Sequence, residues 1–168
     1  MRGADMTERL GVDFSRCIGC RACELACERE HGGAGGIRVH LVEQRAAVPL
    51  ACRHCLAAPC VAACPEQALV QAAPGRGVLV LERCTGCTYC VFACPFGAIE
   101  LGHATGAGAT AAIAKCDLCP SRTARGDPPA CVITCPTEAI RFADPDGWVR
   151  SRRRHQADRL FAARIEPV

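Results

Sequence analysis

The sequence predicts a small, loop-rich α+β fold, on three observations: sixteen cysteines fall into four sets of four, three of those sets end in near-copies of one short segment, and aromatic residues make up only 4% of 168 residues. The sets are Cys17, Cys20, Cys23, Cys27; Cys52, Cys55, Cys60, Cys64; Cys84, Cys87, Cys90, Cys94; and Cys116, Cys119, Cys131, Cys135. No cysteine is left over. The fourth cysteines of the last three sets open the strings CPEQALV, CPFGAIEL and CPTEAIRF, each of them Cys, Pro, two variable residues, Ala and a short apolar run. Proline stops the preceding helix, and the apolar run reads as a short strand. Upstream, residues 12–14 and 78–81 read as matching strands that deliver the chain into the first and third cysteine loops. The repeating unit is strand, cysteine loop, helical turn, strand.

The first and third sets read CxxCxxCxxxC, a spacing that wraps three thiolates of one loop around an iron–sulfur cubane and sends the fourth elsewhere. Cys23 and Cys27, like Cys90 and Cys94, are four residues apart, so on a helical turn their Cβ atoms lie about 5–6 Å from each other. If two such thiols ligate different clusters, the clusters are near neighbours, which is what electron hopping needs. Gly19 and Gly86, inside CIGC and CTGC, allow positive φ and close approach of backbone to a cluster. The reading is an electron-transfer protein with four [4Fe–4S] clusters. Each repeat is half of a bacterial two-cluster ferredoxin, and four halves make two ferredoxin-like units.

Other classes fit less well. The first residues, MRGADMTERLGVDF, contain no apolar stretch or small-residue cleavage site for export, so a disulfide framework is not expected and a cytoplasmic location is. Zinc knuckles carry two ligands each, whereas here three thiolates occur within seven residues, twice. Composition is 50% apolar, but that count includes the sixteen cysteines, so the core is thin and bound metal is expected to supply much of the folding energy. The formal charge of +3 counts the cysteines as neutral thiols. With sixteen thiolates on four cubanes the balance becomes roughly −5, which removes the case for nucleic acid.

The longest apolar candidate, residues 104–114, is too short for a membrane span. Within it the GAGATA run from Gly106 resembles a dinucleotide fingerprint only in outline, since Cys116 follows too soon for a βαβ unit. His31 to Gly36 (HGGAGG) reads as a loop, and His54, between two ligands, either bonds a sulfur or faces solvent. No nucleophile with a base and no paired carboxylates indicate catalysis. From Trp148 the chain carries Arg150, Arg152, Arg153, Arg154, Arg159 and Arg164, with Ala157, Leu160, Phe161 and Ile165 at helical spacing. This basic tail, residues 148–168, reads as a helix covering the core or as a docking element for an acidic partner.

The strings CIGCRACELAC, CRHCLAAPCVAACP, CTGCTYCVFACPFGAI and KCDLC…PPACVITCPTEAI, in this order, resemble the four motifs of the ferredoxin-type electron-transfer subunits of molybdenum or tungsten oxidoreductases, hydrogenases and CO dehydrogenases. The resemblance covers about residues 10–145. It implies that Cys17, Cys20 and Cys23 share a cluster with Cys135; Cys116, Cys119 and Cys131 with Cys27; Cys52, Cys55 and Cys60 with Cys94; and Cys84, Cys87 and Cys90 with Cys64. It further implies two ferredoxin-like units related by a pseudo-twofold, within residues 1–147: an inner unit at about 47–101 and an outer unit at about 10–46 plus 102–147. One departure is Glu28, where the other sets have Pro after the fourth cysteine. The implied partners are a catalytic oxidoreductase subunit and a flavoprotein or ferredoxin-like redox protein, with head-to-tail self-association also possible. A structural or assembly role, with clusters serving mainly to stabilise the fold, is the competing expectation.

Overall fold

The computed structural model describes residues 8–33, 35–73, 76–79, 81–102 and 113–165; the GAGATA run lies outside the described residues. The strands pair two by two into four antiparallel ribbons. β1 (Arg9–Val12) pairs with β8 (Ile140–Ala143), β2 (Ile37–Val42) with β3 (Ala46–Ala51), β4 (Leu69–Ala73) with β5 (Arg76–Leu79), and β6 (Ile99–Leu101) with β7 (Ile113–Lys115). Between them lie α1 (Ala22–Glu30) and four single-turn helices: α2 (Pro59–Ala62), α3 (Tyr89–Ala93), α4 (Pro120–Thr123) and α5 (Ala130–Ile133). The architecture is a small α+β fold. The three CP-containing segments lead into β4, β6 and β8, and helices α2, α3 and α5 stop before each Cys-Pro, where proline cannot continue them.

The delivering strands end earlier than the residue pattern suggests. β1 stops at Val12, and Phe14–Arg16 form a 3-10 turn, because Asp13 accepts from the Ser15 amide at 3.2 Å and from its hydroxyl at 2.6 Å and so draws the chain out of the strand. Leu81–Arg83 make the same turn after β5. The β2–β3 ribbon escapes a pattern reading because Pro49 interrupts it, yet in a two-stranded ribbon the proline, opposite Val39, can direct its missing donor to the open edge. The ribbon is closed by a turn in which Glu43 and Gln44 take positive φ.

The buried residues form two small cores. One gathers Cys23, Cys27, Ile37, Val39, Ala47, Ala51, Cys131 and Ile140; the other gathers Cys60, Leu69, Cys90, Ile99 and Ile113. A cation crosses between the elements around them: Arg38 on β2 bonds Glu28 of α1 at 2.7 Å and Glu100 of β6 at 2.9 Å. Gly36 lies so close to the chain entering the fourth cysteine set that an added Cβ would sit 2.3 Å from the Cys116 amide nitrogen. Gly36→Ala is therefore expected to cost about 1–3 kcal/mol through forced backbone displacement. A lowered thermal midpoint of the metal-loaded protein would show it; an unchanged midpoint would mean the loop yields freely.

The C-terminal segment is a helix, α6 (Pro145–Ile165), with Asp144 accepting from the Gly147 amide at 3.0 Å. It does not cover the core. Residues 150–163 are exposed throughout, Leu160 at 62% and Phe161 at 68%, and the root is held where the Trp148 ring packs over Gly11. The arginines that interrupt its apolar positions leave no continuous stripe to bury.

Candidate metal centres

Each Cys-Pro-x-x-Ala segment folds into the same turn. Gln67, Gly97 and Glu138, three residues after Cys64, Cys94 and Cys135, all take positive φ, and their amides donate back to the cysteine carbonyls at 3.2, 3.3 and 3.2 Å. The turn aims the next amide at the sulfur: Ala68 donates to Cys64 Sγ at 3.2 Å, Ala98 to Cys94 Sγ at 3.4 Å and Ala139 to Cys135 Sγ at 3.2 Å. Cys27 lacks the proline, so α1 runs on to Glu30, and the amide reaching its Sγ comes instead from Gly36, at 3.2 Å. An N–H aimed at sulfur stabilises a thiolate.

The CxxCxxC loops also repeat in geometry. Gly19 and Gly86 have φ of +71° and +72°, and Arg21 and Thr88 enter α1 and α3 at +58° and +67°. These left-handed residues curl each loop so that its three cysteines face one hollow.

Three such hollows are lined by cysteines from two sets at once. Cys17, Cys20 and Cys23 share one with Cys135; Cys52, Cys55 and Cys60 share one with Cys94; and Cys84, Cys87 and Cys90 share one with Cys64. The remaining four also meet: the Cys131 thiol is pushed upward by burial and then by the neighbouring sulfurs of Cys116, Cys27 and Cys119.

Burial likewise pushes Cys23 up to about 11 and Cys116 up to about 12, and it raises Cys60 and Cys90. Cys135 moves the other way: burial opposes ionisation, but the Ile140 amide, the Thr137 hydroxyl and the Thr137 and Ala139 amides outweigh it. Crowded, desolvated thiols of this kind are poor isolated anions, and a cationic metal centre among them removes the penalty. The donor set fits cubane clusters, with soft sulfur on every side and amides aimed at it. When bound, such a cluster supplies reversible one-electron redox chemistry; the chain supplies the thiolates, their hydrogen bonds and shielding from water.

His54 is buried, so its side chain does not face solvent, and its amide lies 3.4 Å from Cys52 Sγ. Two residues without a signal in the spacing also stand beside a sulfur. His31 Nε2 lies 3.6 Å from Cys119 Sγ and 3.5 Å from an Asp117 carboxylate oxygen, and Cys119 with Cys27 raises the His31 pKa to about 10. Asp117 also accepts from the Cys119 amide at 2.8 Å. His31 reaches Cys119 only through the fold, since 88 residues separate them.

Cysteine quartets lining small hollows, with amides directed at their sulfurs, define a ferredoxin-type iron–sulfur protein. Comparison with known proteins agrees: residues 44–145 match a 4Fe-4S dicluster domain and residues 10–30 a 4Fe-4S binding domain. The chain is 40% identical to an iron-sulfur protein of Rhodospirillum rubrum, over 79% of this chain and 80% of that one. It is 38% identical to the thiosulfate reductase electron transfer subunit PhsB of Salmonella typhi, over 80% and 74% of the two chains. With the electron transport protein HydN of Escherichia coli it shares 37%, over 79% and 86%. Against the larger putative oxidoreductase UacF of Escherichia coli, at 37% identity, it spans 22% of that protein's length. The chain belongs to the ferredoxin-type [4Fe–4S] electron-transfer subunit family. Among the described residues no helix is long and apolar enough to cross a membrane.

Proposed function

We propose that the sixteen cysteines hold four [4Fe–4S] clusters, paired as the four groups above, and that these form a wire between a catalytic oxidoreductase subunit and a second redox protein. The observation that carries this is the lining of each hollow by three cysteines of one set and the fourth of another.

The order of the wire follows from shared elements. Cys23 and Cys27 lie on one helix, α1, which puts the cluster of Cys17, Cys20, Cys23 and Cys135 next to that of Cys27, Cys116, Cys119 and Cys131. Cys116 in turn neighbours Cys52, and Cys90 and Cys94 lie in and just after α3, which brings in the other two clusters. The ends are then the clusters with an exposed middle cysteine, Cys20 and Cys87. Exposed apolar side chains flank both: Ile18 and Leu25 at the first, Tyr89 and Phe92, the latter 86% exposed, at the second. Such patches suit partner docking.

In this reading the chain consists of two ferredoxin-like units related by a pseudo-twofold, the inner at about 47–101 and the outer at about 10–46 plus 102–147. The presence of two cores supports two units, but β3 pairs with β2 and carries Ala47 and Ala51 into the outer core, while β7 pairs with β6 and carries Ile113 into the inner one, which moves the seams past β3 and past β7. The partners are a catalytic subunit, of the molybdenum, tungsten, hydrogenase or CO dehydrogenase kind, and a flavoprotein or ferredoxin-like protein, or a second copy joined head to tail. The exposed arginines of α6 suit an acidic surface on one of them. Sixteen thiolates suit the reducing cytoplasm.

The test is analytical. Anaerobically purified protein is expected to hold about sixteen irons and sixteen acid-labile sulfides per chain, and native purification should recover an oxidoreductase subunit. About eight irons, stoichiometric zinc, or a chain recovered without any redox partner would overturn the reading.

A further inference from the structure

Each of the two clusters at the junction between the units has a basic side chain at its edge: Lys115 lines the hollow of Cys52, Cys55, Cys60 and Cys94, and His31 Nε2 lies 3.6 Å from the Sγ of Cys119, which is grouped with Cys27, Cys116 and Cys131. Side chains alternate along β7 with a period of two. Ile113 therefore shares a face with Lys115: Ile113 lines the hollow of Cys64, Cys84, Cys87 and Cys90, while Lys115 lines that of Cys52, Cys55, Cys60 and Cys94. Ala114, on the other face, lines the crevice beside Arg38 and Glu100. The Lys115 ammonium donates to the Cys116 carbonyl at 3.1 Å, a contact that holds it where the chain passes from one cluster's hollow into the other's cysteine set.

β3 enters its own cysteine set in the same way, and there the residue before Cys52 is Ala51, 8% exposed and packed in the core with Cys27 and Cys131. A methyl group thus stands at this position of one strand and an ammonium at the same position of the other. Of the other basic residues lining the Lys115 hollow, Arg53 is exposed and lies 5.6 Å over the Phe96 ring, and His54 sits between Cys52 and Cys55.

Resting on the four-cluster reading above, we propose that the Lys115 charge raises the potential of the cluster of Cys52, Cys55, Cys60 and Cys94, so that this cluster is more easily reduced than it is without the lysine. Each transfer moves one electron from one cluster to its neighbour, with no bond formed or broken. Adding an electron makes a cysteine-ligated cubane more negative, and a nearby fixed cation favours that state in a site poor in water. Lys115 acts on the potential as a positioning charge and is not a ligand.

The experiment is a redox titration of the complete metal-loaded protein, followed by electron paramagnetic resonance, for the native chain, Lys115→Met and Lys115→Arg. The native chain is first shown to hold four clusters, and the signal lost in Cys94→Ala identifies the cluster in question. In Lys115→Met that cluster is expected to lose about tenfold in its reduced-to-oxidised ratio at fixed potential, a fall of about 59 mV for one electron. Its junction neighbour should shift less and the two end clusters not measurably, and Lys115→Arg should restore the native value. No shift, or an equal shift in all four clusters, overturns the proposal while leaving the four-cluster reading intact; a native chain without four clusters overturns that reading instead. If Lys115→Met does not load its clusters, Lys115→Gln takes its place. Failure of both also counts against the proposal, because a charge that acts only on potential is dispensable for assembly.

Discussion

Removal of the iron is expected to unfold the chain, with far-ultraviolet circular dichroism falling to that of a largely disordered polypeptide and protease resistance lost. Isolated two-stranded ribbons are marginal in water, and all the sheets among the described residues are two-stranded. The helices between them are single turns apart from α1 and the exposed α6. Of the thirteen residues in the two cores, five are cysteines. Once the metal leaves, those thiols are no longer tied across the chain, and Cys23, Cys27 and Cys131 no longer join α1 to α5. Metal binding in such a domain is folding free energy, so chelation and unfolding are one event. A stripped chain that keeps native dichroism and resists protease would show that apolar packing suffices.

Cys94→Ala is expected to remove or convert one cluster and spare its own set. Cys94 lines the hollow of Cys52, Cys55 and Cys60, not that of Cys84, Cys87 and Cys90. The alanine variant should therefore lose up to about four of its irons, with the spectroscopic change confined to the cluster of Cys52, Cys55 and Cys60. Damage to the cluster of Cys84, Cys87 and Cys90 would mean that each set closes on itself and would refute the pairing. The Ala98 amide that points at Cys94 Sγ loses its acceptor in this variant, so some local loosening of the turn before β6 should accompany the loss.

The cysteine sets and the three Cys-Pro segments were legible in the sequence because each is local: a proline, a positive-φ residue and an amide-to-sulfur contact all fall within five residues. Gly19 and Gly86 were legible for the same reason, and both take the positive φ that their place in the loop requires. What lay beyond reach depends on distance along the chain or on the absence of a burial signal. His31 meets Cys119 across the fold, Arg38 joins carboxylates on two other elements, and Lys115 acquires its neighbours only once β7 pairs with β6. The exposure of α6 is hard to read from the sequence because Leu160 and Phe161 look like buried positions until Arg153 and Arg159 are placed around the same helix. The β2–β3 ribbon was hidden by Pro49, which a pattern of alternation counts against a strand.

The pairing of β1 with β8 fixes an order of assembly. Leu10 lies opposite Phe142 and Val12 opposite Ile140, so the ribbon at the mouth of the first cysteine loop cannot close until β8, more than 120 residues further on, has left the ribosome. The β4–β5 ribbon and the α2–α3 packing need only neighbouring stretches, and closing a short loop costs less entropy than closing a long one. During synthesis, then, the first cysteines to emerge are among the last to find their complete surroundings. Cys17, Cys20 and Cys23 spend the longest time as open thiols, and oxygen or a stray metal ion has its widest opportunity at the amino-terminal end of the wire.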